Sequence, residues 1–209
     1  MGFFMSNALI IVDVQNDFMP GGALPVAKGD QVIPMINRLL QLSFDVKIAT
    51  KDWHPPDHGS FAESYEKKTG EIVELSGIPQ ILWPKHCIQH SHGAEFAPGW
   101  DTAKIECVFY KGTDKNVDSY SAFFDNGHLK STGLSDYLRK KNIEEIYIAG
   151  LATDYCVKYS VLDALQLGFK TFVIAEACRS VNLQPDDEAK AVEEMRKAGA
   201  HIITLQELT

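Results

Sequence analysis

The chain has 209 residues, of which 45% are hydrophobic, and its 20 basic and 28 acidic side chains give a net charge of −8 with histidine neutral. A single domain of this size buries enough apolar surface to fold without a disulfide or a metal, so any metal site needs a reason other than stability. The acidic balance speaks against nucleic acid and anionic membrane as partners, and no window approaches the roughly 18 continuous apolar residues of a membrane span.

Taken in chain order, the first apolar run is Leu9 to Val14, rich in β-branched residues; its neighbours upstream, Met1 to Met5, are too short for a signal peptide, and Met5 is an alternative start. Asp30 is placed to cap a helix running to about Gln41, with Pro34 in its first turn and Val32, Ile33, Ile36, Leu39 and Leu40 on one face. A second strand is predicted at Val46–Ala49. Residues 51–104 are long, weakly periodic and rich in Pro, Gly, His and Trp, the composition of a functional loop region. Further strands are predicted at Cys107–Tyr110, Ile146–Ala149, Thr171–Ala175 and His201–Leu205, with helices at Leu134–Lys141, Asp154–Gly168 and Pro185–Ala198. Pro185 and three acidic residues open the last helix, and Arg196, Lys197 and Gly199 close it, as the helix dipole favours. Six near-continuous apolar strands alternating with helices predict one domain over 1–209: a three-layer α/β/α sandwich around a mainly parallel six-stranded sheet.

In such a sheet the chemistry belongs just after the strands. Asp13 closes the first strand inside an apolar run, where a carboxylate needs a partner or a role. Lys111 follows the strand at 107–110 and Cys156 follows the strand at 146–149, so a parallel sheet brings all three to one edge. Cys156 is near a helix start and within reach of a lysine, both of which favour thiolate. With no CxxC spacing, Cys87, Cys107, Cys156 and Cys178 are expected as free thiols of a cytoplasmic protein, Cys156 reactive and the others packing residues. Asp52 and His54, at i and i+2 of an extended segment, project to one side. A third imidazole would complete a ligand face for Zn, Fe or Mn. His86, in a rigid Trp-Pro loop, is the best third ligand. His58 stays open as ligand or outer-shell group, and His90 and His92 add further metal-compatible spacings.

The segments DVQNDFMPGGALPV (13–26), TKDWHPPDHGSFA (50–62), WPKHCIQ (83–89), KGTDKNVDSYSAFFDN (111–126) and GLATDYCVKYSVLDALQLGF (150–169) resemble the isochorismatase-like cysteine hydrolases, and within them the nicotinamidase/pyrazinamidase group. The resemblance runs from about residue 8 to 205. It implies a catalytic triad of Asp13, Lys111 and Cys156 and a divalent metal, zinc foremost, on Asp52, His54 and His86. It also implies a cis peptide at Leu151–Ala152 with an oxyanion hole from the N–H groups of Ala152 and Cys156, and a ring pocket drawn from Phe18, Leu24, Trp83, Tyr120, Leu151 and Tyr155. The implied reaction is hydrolysis of nicotinamide, and of pyrazinamide, to the acid and ammonia in NAD salvage. Ureidoacrylate and carbamoylsarcosine amidases of the same superfamily generally lack the metal histidines. Oligomer contacts leave no pattern in the sequence, so monomer and homodimer both stay open.

Overall fold

A computed structural model of the chain describes residues 6–208; Met1–Met5, with the alternative start at Met5, lie outside the described residues. From the amino end the elements are β1 (Asn7–Val12), α1 (Val32–Leu40), β2 (Val46–Asp52), a short pair β3 (Ile72–Leu75) and β4 (Ile78–Ile81), β5 (Cys107–Lys111), α2 (Leu134–Lys140), β6 (Glu145–Leu151), α3 (Lys158–Gln166), β7 (Lys170–Arg179), α4 (Asp187–Ala198) and β8 (His201–Ile203).

Six strands form one sheet in the order β5-β2-β1-β6-β7-β8, every pair parallel. Alternation along β1 divides the core. Ala8, Ile10 and Val12 face a cluster holding Leu134 and Leu138 of α2, Val161 and Ala164 of α3 and Met195 of α4. Leu9 and Ile11 face the opposite cluster, with Val32, Ile36, Leu39 and Leu40 of α1. Those four α1 side chains are 0% exposed, and each contributes about 1.5–3 kcal/mol by leaving water. The sheet is therefore covered on both faces, as its near-continuous apolar strands require. The chain grows outward from β1 to β2 and β5, then returns to β6 and grows the other way, so the direction of winding reverses between β1 and β6. Ligands in open α/β sheets bind at the carboxyl ends beside such a reversal.

Several boundaries depart from the sequence expectation, each for a local reason. β1 stops at Val12 because Asp13 turns out of the strand with φ 50°. Asp30 caps nothing: it lies exposed in a single 3-10 turn, Gly29–Gln31, and α1 begins at Val32 without a side-chain cap. The helix expected from Asp154 opens with one π-helical turn, Thr153–Val157, before α3 proper. Pro185 precedes α4 instead of opening it, because Asp187 accepts the Gln184 N–H and Asn182 accepts the Glu188 N–H ahead of the first full turn. β8 ends at Ile203, and Leu205–Leu208 is a 3-10 turn. Within the long loop region, β3 and β4 form an antiparallel hairpin that apolar runs did not reveal, since Ile72 is exposed and Pro79 interrupts the second strand.

Candidate active site

Three backbone events at the carboxyl edge of the sheet bring the predicted triad together. Asp13 leaves β1, Lys111 ends β5, and Cys156 sits in the π-helical turn after β6. Lys111 Nζ lies 2.8 Å from Asp13 Oδ2 and 3.3 Å from Cys156 Sγ, and it donates to the Ser119 carbonyl at 3.1 Å. The Asp13 carboxylate and Cys156 sulfur are within 4.8 Å of each other. Asp13 is fully buried; its Oδ1 accepts the Thr50 hydroxyl at 2.6 Å, and its Oδ2 pairs with Lys111 without hydrogen-bond geometry. That oxygen is free to take a proton.

The metal-ligand candidates share this edge. The register of β2 and β5 sets Asp52 opposite Lys111, and the two side chains form a buried ion pair through Asp52 Oδ1. Asp52 Oδ2 faces the other way, 3.7 Å from both His54 Nε2 and His86 Nε2. His54 Nδ1 lies 2.9 Å from the Gly112 carbonyl, and His86 Nδ1 lies 2.8 Å from the Pro84 carbonyl. A carbonyl only accepts, so each neutral ring carries its proton on Nδ1 and presents a lone pair at Nε2. His54 Nε2 is buried with no hydrogen-bond partner. One carboxylate oxygen and two imidazole lone pairs, converging in a buried pocket, suit a divalent metal of the zinc, iron or manganese type.

Burial and charge set the protonation of these groups. Burial pushes the Asp13 carboxyl up to about 6, against the pull of Lys111. Burial acts the same way on Asp52, but the charge of Lys111 overcomes it and holds that carboxyl well below the usual range. Lys111, despite burial, is held charged by Asp13 and Asp52. Burial pushes the Cys156 thiol well up, and Lys111 only partly offsets it. The helix start and the lysine favour thiolate, but the sulfur is buried beside two carboxylates, and desolvation of a charge works against it.

Cys156 and the Asp52–His54–His86 face open into a cavity of about 380 Å³, counting its mouth, with Asp13 and Lys111 buried outside its lining. Phe18, Leu24, Trp83, Tyr120 and Tyr155 line it with Ala152 and Cys156, whereas Leu151 does not: its side chain is packed in the core on the α1 side. Trp83 and Tyr155 meet edge to face at 4.8 Å. The Leu151–Ala152 bond is cis. His90 and His92 are exposed and belong to none of the metal-capable groups among the described residues. His90 packs instead on the edge of Trp53. Cys87 and Cys178 are buried and Cys107 is partly so; none is bridged.

Several residues that hold this site carried no sequence signal of their own. Thr50 fixes Asp13, and Gln15 grips the backbone of Asp52. The Tyr120 hydroxyl accepts the Trp83 indole N–H at 3.0 Å and the Gln80 amide at 3.2 Å, so the hairpin β3–β4 braces the ring wall. Asp17 accepts the Cys87 N–H, tying the loop that bears Phe18 to the loop that bears His86. The Asp154 carboxylate accepts the N–H groups of Val181 and Asn182 and anchors the turn that carries Cys156. Asp118 lines the cavity, buried, near His54 and His58. The alternation of β2, which sends Thr50 and Asp52 to one side, was the available clue for Thr50.

The isochorismatase domain model matches residues 7–207. The chain is 50% identical over 202 residues to the nicotinamidase of Escherichia coli (strain K12), covering 95% of each chain. Among solved structures, the Acinetobacter baumanii nicotinamidase/pyrazinamidase superposes with a TM-score of 0.94 at 42% identity over 100% of both chains. The Pyrococcus horikoshii pyrazinamidase in complex with zinc superposes at 0.78 with 35% identity, over 96% of this chain and 99% of that one. No helix among the described residues is long and apolar enough to cross a membrane. With the sheet order, the carboxyl-edge triad and these matches spanning nearly the whole chain, the protein belongs to the isochorismatase family.

Proposed function

We propose that the chain is a nicotinamidase that hydrolyses nicotinamide, and its analogue pyrazinamide, to the acid and ammonia in NAD salvage. The observation that carries this reading is that Cys156, in contact with Lys111 and through it with Asp13, opens onto the same aromatic-walled cavity as Asp52, His54 and His86.

The resting Cys156 is a thiol, and Asp13 Oδ2 takes its proton as the sulfur attacks the carboxamide carbon. Lys111 holds both groups in register and stabilises the thiolate as it forms. The N–H groups of Ala152 and Cys156 receive the tetrahedral oxyanion, where a single such donor is worth roughly 3–4 kcal/mol. Amide nitrogen does not leave as an anion, so Asp13 returns the proton and ammonia departs, leaving a thioester on Cys156. Asp13 then takes a proton from water as that water attacks the thioester, and the sulfur is released to accept a proton again. Asp52, His54 and His86 hold the metal, with zinc the first assignment. When bound, the metal supplies an electrophilic point for the pyridine nitrogen, which orients the ring and selects against benzamide-like substrates. Phe18, Trp83, Tyr120 and Tyr155 enclose the ring and exclude water.

Four unbridged cysteines support a reducing, cytoplasmic setting. The test is an ammonia-release assay on nicotinamide with metal analysis of the same sample. Absence of ammonia in the presence of Zn, Mn or Fe sinks the reading.

A further inference from the structure

A third histidine in the cluster, His58, is fully buried, and its Nε2 has no hydrogen-bond partner among the described residues. Its Nδ1 accepts the backbone N–H of Ser60 at 3.2 Å and lies 2.7 Å from the Ser60 hydroxyl. A ring nitrogen that accepts an N–H carries no proton of its own, so the neutral His58 ring has its proton on Nε2. His54 and His86 are the reverse, each with Nδ1 against a carbonyl and a lone pair at Nε2. Three histidines therefore share one cluster, two as acceptors or ligands and one as a donor. A protonated nitrogen offers a metal nothing.

Asp118 complements that donor. It is buried, its Oδ1 accepts the Ser119 N–H and its Oδ2 accepts the Gln80 amide, and an ionised carboxylate keeps further acceptor capacity. One ligand-type atom from each of His54, His58 and Asp118 lies within 4.8 Å of the other two, yet His58 Nε2 and Asp118 form no direct hydrogen bond. That span suits one bridging water that accepts from His58 and donates to Asp118.

We propose that His58 and Asp118 form a donor–acceptor pair that holds a water beside the Asp52–His54–His86 metal site, with His58 a positioning residue and not a ligand. The proposal rests on the metal reading above. It also gives His58 a purpose that its burial demands: three protein ligands leave coordination open for the ring nitrogen, and a fourth would narrow it.

The test uses the full chain, with zinc affinity measured by chelator competition and the visible spectrum recorded after cobalt loading. Circular dichroism checks that each variant is folded. His58→Gln keeps an N–H near the position of Nε2–H. It is expected to bind one metal per chain with affinity within about threefold of wild type and unchanged cobalt bands, while His58→Leu loses about 10–100-fold. His54→Gln, a ligand control, loses more than about 100-fold and shifts the bands. If His58→Gln weakens metal as much as His54→Gln, or shifts the cobalt bands, His58 is a ligand and the proposal is overturned. Wild-type affinity in His58→Leu overturns it as well. A wild-type chain that takes up no metal, or a His54→Gln chain that takes it up unimpaired, overturns the metal reading and this proposal with it. The wild-type and His54→Gln samples thus separate that failure from a failure at His58 alone.

Discussion

The side-chain amide of Gln15 hydrogen-bonds both backbone groups of Asp52, donating to its carbonyl at 2.8 Å and accepting its N–H at 2.8 Å. β1 has already ended at Val12, so a side chain continues the ladder to β2 where the backbone of Asp13 has turned away. The Asp52 backbone is thereby fixed at the point where its side chain meets Lys111 and the two histidines.

Replacing Gln15 by Ala leaves that N–H and carbonyl buried without partners, at about 1–3 kcal/mol for each group. Urea denaturation of Gln15→Ala should show a lower midpoint at unchanged slope, together with weaker metal binding. An unchanged midpoint would show that Asp52 is held by its other contacts alone.

Cys156→Ala is expected to lower ammonia release by on the order of 10⁴-fold or more, since the nucleophile and its base act as a unit. Far-UV circular dichroism and the urea midpoint should stay close to wild type, because the buried thiol donates to nothing the fold requires. Residual turnover within tenfold of wild type would remove Cys156 from the chemistry.

Asp13 must be ionised to take the thiol proton, and burial raises its carboxyl to about 6. At saturating metal, kcat/KM should therefore fall as pH drops through about 6. The Thr50 hydroxyl donates to the ionised form and favours it, so Thr50→Val raises the Asp13 value and moves the acid limb to higher pH. A limb that stays in place, or moves down, contradicts the assignment of Asp13 as base.

Gly112 follows Lys111 with φ +63°, and a Cβ there would lie 2.3 Å from Cε1 and 2.5 Å from Nδ1 of His54. Gly112→Ala should displace that ring and weaken metal binding at least about tenfold, as disturbance around a ligand does. Gly133 shares a positive φ, +88°, with open space around it, so Gly133→Ala carries the backbone strain without touching the site. Equal metal affinity in the two variants would show that the Gly112 effect is not steric.

Tyr120→Phe removes the acceptor of the Trp83 indole N–H and one acceptor of the Gln80 amide. The expected cost is about 1–3 kcal/mol of stability for the unpaired indole group, with KM for nicotinamide rising more than kcat falls. A fall in kcat alone would place Tyr120 in the chemistry instead of the ring wall.

The sequence by itself determined the layer architecture and marked the candidate reactive groups. Near-continuous apolar runs such as Leu9–Val12 demand cover on both faces, and residue types as costly to bury as Asp13 and Lys111 mark themselves by standing at the ends of such runs. The spacing of Asp52 and His54 was legible for the same reason, because an extended strand fixes which side each residue faces. Only the tertiary structure decided how those groups are tuned. The Cys156 thiol is pushed up because burial, with Asp13 and Asp52 beside it, outweighs the pull of Lys111, a balance of distances that no local pattern encodes. Whether a histidine ligates or donates depends on what its Nδ1 meets: for His54 the carbonyl of Gly112, 58 residues on, and for His58 the N–H of Ser60. The supports Gln15, Thr50, Gln80 and Asp118 were silent in sequence because a polar side chain acquires its role from the partner that folding brings to it.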